Sequence, residues 1–78
     1  MTNPNEIAAL GAAFRGALAT AESLAALGPR VTELDGAAEI DPALLEDLSR
    51  VALAHAVASA ALRGLVESMQ RRRGTPAP

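Results

Sequence analysis

The chain has no cysteine, tryptophan, tyrosine or lysine, and Phe14 is its one aromatic residue among 78. Without cysteine there is no disulfide framework, zinc knuckle, iron-sulfur ligation or thiol nucleophile, a composition at home in a reducing cytoplasm. Nearly without aromatics, the chain has no platform on which nucleic-acid bases could stack. The start, Met1-Thr2-Asn3-Pro4-Asn5-Glu6, lacks the basic segment of a signal peptide. Glycine-rich phosphate loops, a nucleophile elbow and helix-turn-helix spacing are also missing. The stretch without Asp, Glu, Lys or Arg from Val51 to Leu62 rises about 18 Å as a helix, against roughly 30 Å of hydrocarbon, so no membrane span is expected.

What remains is half apolar, and 19 of the apolar residues are alanine, leaving 20 larger side chains to build a core. One small domain is the most that this length supports. All seven basic residues are arginine, which with the abundant alanine fits a GC-rich bacterial genome. The net charge of -2 is unevenly spread: residues 1–30 sum to zero, 31–49 carry six acids and no base, and 50–78 carry an excess of four positive charges. A net-acidic chain argues against general nucleic-acid binding.

Two helix starts are written in the same way. Asn3 followed by Pro4, with Glu6 placed to reach back as in a capping box, opens a first helix. Asp41 followed by Pro42, with Ile40 and Leu45 spaced as a hydrophobic staple, opens a second. The first is predicted over about residues 4–27, ending at Gly28-Pro29, with the stripe Ile7, Leu10, Phe14, Ala17, Ala21, Leu24 widened by Leu18 and Ala25. The second is predicted over about 42–72, with Leu44, Leu48, Val51, His55, Ala58, Leu62, Leu65 and Met69 at alternating spacings of four and three. Arg71, Arg72 and Arg73 near its end have the sign that the helix dipole favours. The connector of about 13 residues, 28–40, is long for a helical hairpin. Val31, Leu34 and Ile40 are expected to pin it, with a helical turn after Pro29 as one form it can take. Residues 1–73 thus read as one helical-hairpin domain and 74–78 as a flexible tail.

Both helices are apolar beyond one face. Leu53 and Val57 fall opposite the main stripe of the second helix at about 100° per residue, and the only charges in the middle of the first are Arg15 and Glu22. A hairpin covers one face of each helix, so the surplus is expected to meet another protein. Small chains that lack disulfides and metals commonly supply the missing core by association. The expected fold is therefore all-α: two long antiparallel helices that dimerise into a four-helix bundle, or dock as an accessory subunit on a larger assembly.

Candidate chemistry is sparse. His55, one turn before Ser59 in the seam, reads as a general base, a pH switch or half of a shared metal site; it reads better as a partly buried polar residue that fixes register. Neither half contains the Glu-x-x-His of di-iron bundles. Six acids between Glu33 and Asp47 do not have EF-hand spacing and read as a solvated connector with helix caps. Arg71 to Arg73 could contact an anion, and a small dimeric regulator binding nucleic acid through this tail is the alternative function. No enzyme activity and no cofactor are expected. The expected packing seam is Ile7, Leu10, Phe14, Leu18 and Leu24 against Leu44, Leu48, Val51, His55, Leu62, Leu65 and Met69, with Leu53 and Val57 as the partner surface.

Overall fold

A computed structural model describes residues 3–74. Three helices follow in order: α1 (Pro4–Ala26), α2 (Gly28–Thr32) and α3 (Pro42–Gly74). The architecture is all-helical, two long helices joined by a connector, and α1 lies along α3 as an antiparallel hairpin. Both long helices begin where the sequence places their caps. The Asn3 side chain accepts from the Asn5 N–H at 2.8 Å, and the Asp41 carboxylate accepts from the Ala43 N–H at 3.0 Å, satisfying donors that have no partner inside the helix. Glu6 does not complete a capping box; its carboxylate pairs with Arg72 at the far end of α3. The expected staple of Ile40 on Leu45 leaves both side chains about half exposed, at 50% and 51%.

Gly28 and Pro29 do not stop the chain as sharply as expected. Leu27 keeps a right-handed helical backbone, and the one-turn helix α2 follows directly. A turn then closes with the Ala37 N–H donating to the Leu34 carbonyl at 2.9 Å. Gly36 within it has φ +79°, a left-handed conformation that favours glycine. Of the three residues expected to pin the connector, Leu34 is partly covered whereas Val31 and Ile40 are exposed. At the other end α3 continues through Gly74, two residues past its expected limit; residues 75–78 of the expected tail lie outside the described part.

The molecule is a rod of 63 × 21 × 16 Å, two helices wide and one thick. Its radius of gyration is 18.0 Å, against about 11–12 Å for a compact domain of this length. A slab one helix thick has little interior. Among the described residues the buried apolar side chains are Ala17 and Leu44. By length and composition α3 also meets the measure of a membrane-crossing helix, with a mean hydropathy of 1.2 over its most apolar window, which extends past the charge-free stretch that argued otherwise.

The stripe on α1 needs correction. The positions at least partly covered include Glu6, Leu10, Ala13, Ala17, Thr20 and Leu24, which alternate by four and three, with Gly11 and Ala21 beside them, while Ile7, Phe14 and Leu18 are 58%, 55% and 46% exposed. The expected stripe, read off the largest side chains, merged two adjacent seams. Polar partners explain the rotation: turning α1 to bury Ile7 and Phe14 would carry Thr20 away from His55 and Glu6 away from Arg72.

Candidate functional site

The centre of the α1–α3 seam is polar. Thr20 Oγ1 lies 2.9 Å from His55 Nδ1, and Ser59 Oγ lies 3.3 Å from His55 Nε2. Thr20 Oγ1 is also 2.9 Å from the Ala17 carbonyl, to which its hydroxyl can donate while accepting from the imidazole. Hydroxyls both donate and accept, so either neutral tautomer of His55 is satisfied by its two neighbours. The partners of this ring are hydroxyls, not a carboxylate that would orient it as a base, so the cluster has the form of an interhelical tie. Thr20 escaped the sequence reading; its one signal is a hydroxyl at the four-and-three spacing from Ala17, Ala13 and Leu10.

Ion pairs close both ends of the rod. At the open end Arg72 Nη1 donates to the Glu6 carboxylate. At the connector end Asp47 accepts from Arg30 at 2.9 Å and from Arg50 at 2.7 Å. The Arg30 hydrogen bond, aided by both positive charges, lowers the Asp47 carboxyl below its ordinary value of 3.8, against a smaller opposing push from desolvation. Beneath the connector an open cleft of about 240 Å³ is lined by Arg30, Glu33, Leu34, Glu39, Asp41 and Leu44 among others. Its carboxylates do not converge on a point, and no metal-holding group of three or more side chains occurs among the described residues.

No known protein family, curated protein or solved structure matches this chain.

On α3 the expected seam residues Leu44, Leu48, Val51, His55, Leu62, Leu65 and Met69 are all buried or partly buried. On α1 Leu10 and Leu24 join them. Leu53 and Val57, expected to meet a partner, are 67% and 63% exposed. Of the expected anion contacts, Arg72 is engaged by Glu6 and by the Ser68 carbonyl, and all three arginines lie exposed at the surface. The structure thus leaves two separate apolar surfaces. One lies on α1, carrying Ile7, Phe14 and Leu18; the other lies on the back of α3, carrying Leu53 and Val57.

Proposed function

We propose that the protein is a non-catalytic helical interaction module whose working form is a homodimer, two hairpins closing into a four-helix bundle. One observation carries this reading: three of the larger apolar side chains of α1, Ile7, Phe14 and Leu18, lie outside the hairpin, while Ala13 and Ala17 lie in its seam. The chain exposes 5982 Å², against about 4,400 Å² for a compact protein of 7.9 kDa. The excess, roughly 1,600 Å² per chain, is ample for a stable interface, which covers about 800 Å² on each partner. Protein suits this surface better than lipid, because Arg63 and Glu67 project from the apolar half of α3 and each charge costs about 2.5 to 3.5 kcal/mol at a bilayer centre.

Sedimentation equilibrium of the full chain tests the reading. The expected species is a dimer of twice 7.9 kDa at micromolar concentration, with a thermal midpoint that rises with concentration. A folded, concentration-independent monomer refutes it.

A further inference from the structure

Resting on that reading of a homodimer, the two faces of α1 bear on how the two copies meet. The helix carries two seams of identical spacing, offset by one residue. The inner one, Glu6, Leu10, Ala13, Ala17, Thr20, Leu24, faces α3. The outer one, Ile7, Gly11, Phe14, Leu18, Ala21, Ala25, lies about 100° further round; Gly11 and Ala21 at its edge are partly covered by the hairpin, and its three large side chains are uncovered. Sustained four-and-three spacing is the pattern that packs a helix against another helix.

Charge decides which helix that is. Arg15 and Glu22 flank the outer seam on one side, a heptad apart, so they occupy the same position of the repeat. Every ion pair formed by the described residues of the hairpin leaves these two out, and neither has another polar partner of its side chain. The Arg15 guanidinium instead lies over Gly11, close to where a side chain there would begin. Two opposite charges a heptad apart on one flank are self-complementary under an antiparallel two-fold. With the axis beside Leu18, Arg15 of one copy stands level with the partner's Glu22, and Glu22 with the partner's Arg15. A parallel pairing sets each charge level with its own like and supplies no complement.

We infer that α1 of one chain packs antiparallel on α1 of a second copy through Phe14 and Leu18, with a two-fold axis beside Leu18 and reciprocal Arg15–Glu22 pairs; Ile7 stands level with position 30 of the second copy, just past the end of its α1. The occupant of the outer seam is therefore a second copy of this chain. α3 takes part from the same side of the hairpin. Both helices are right-handed and run in opposite directions, so the side about 100° round from the seam of α1 adjoins the side about 100° round from the seam of α3. That side of α3 carries Leu45, Ala52 and Ala56, all exposed, together with Ser49 and, toward the open end, Arg63 paired with Glu67. The back of α3, with Leu53 and Val57, stays outside this interface.

The test is a charge exchange read by sedimentation equilibrium at low salt, with helicity checked by circular dichroism. Arg15→Glu and Glu22→Arg each turn two attractive pairs into two repulsive ones, and each is expected to weaken self-association about ten-fold. An equimolar mixture of the two variants, or both substitutions in one chain, restores opposite charges and is expected to restore wild-type affinity. Because the chain has no cysteine, Leu18→Cys is expected to give a covalent dimer on mild oxidation, since it stands within disulfide reach of its own copy; Val57→Cys is expected to give none. A wild-type dimer that is indifferent to the charge exchange, or that cross-links through Val57→Cys and not Leu18→Cys, overturns this interface and leaves the homodimer standing. A monomeric wild type overturns both.

Discussion

The inner seam of α1 presents two leucines, two alanines, a threonine and one carboxylate to α3, while the outer seam, one residue further on, leaves isoleucine, phenylalanine and leucine open to solvent. A chain folding alone would bury the second set. In the proposed dimer one helix answers two separate demands. Small side chains at Ala13 and Ala17 let α1 approach α3 closely, and they bring Thr20 within 2.9 Å of His55. In the proposed dimer, larger side chains fill the greater volume where two hairpins meet. The inner seam sets register through polar contacts, and the outer one leaves Ile7, Phe14 and Leu18 open to burial.

Substitution at the outer seam should therefore separate association from folding. Phe14→Glu changes a residue that is 55% exposed in the hairpin, so the isolated hairpin should tolerate it within roughly 0.5 kcal/mol. In the dimer it places a carboxylate where a buried phenylalanine contributes about 3 kcal/mol or more per copy. The expected outcome is the largest of the series: a helical species of 7.9 kDa in sedimentation, with no concentration dependence of its thermal midpoint. An unchanged dimer breaks the distinction between the seams.

At the inner seam the order of effects reverses. Ala17 is 9% exposed, and Ala17→Leu forces α1 from α3 at a cost of about 1 to 3 kcal/mol. Urea unfolding at several protein concentrations should show this loss as a constant offset, with the concentration dependence retained. Thr20→Val then isolates the polar tie. It removes the hydroxyl beside Nδ1 of His55 and should cost about 0.5 to 1.5 kcal/mol. In a double-mutant cycle with His55→Gln the two changes should be non-additive, as expected of groups in contact. Strict additivity would show that the tie contributes nothing to register.

Much of the hairpin was legible because its signals are local. Asn3-Pro4 and Asp41-Pro42 cap helices that begin within one residue of them, and the four-and-three spacing from Leu44 to Met69 marks the covered face of α3. On α1 the same arithmetic met two overlapping answers. Ile7, Phe14 and Leu18 weigh most in any reading based on side-chain size, whereas rotation is fixed by Thr20 and Glu6, whose partners His55 and Arg72 lie 35 and 66 positions away. Nothing in a local window announces such a pair. The charges followed the same rule: Arg72 stood out as an end-of-helix cation, yet its bond to Glu6 depends on an antiparallel pairing that local spacing alone does not specify.

The smallest expected effect concerns the charges that close the hairpin, in contrast to those that flank the outer seam. Asp47 is held between Arg30 and Arg50 within one chain, so its contribution belongs to the hairpin and not to the dimer. Its carboxyl is lowered in the folded state below the ordinary 3.8. The unfolded chain therefore takes up the proton first as pH falls, and the stabilisation is complete above that ordinary value and disappears as pH drops through the folded one. Asp47→Asn removes the linkage. The stability gap between wild type and Asp47→Asn in urea titrations should stay constant from pH 7 down to about pH 5 and close on further acidification. It should be independent of protein concentration throughout. A gap that instead scales with concentration would assign Asp47 to the interface, and the division between charges paired within one hairpin and charges left for a second copy would fail.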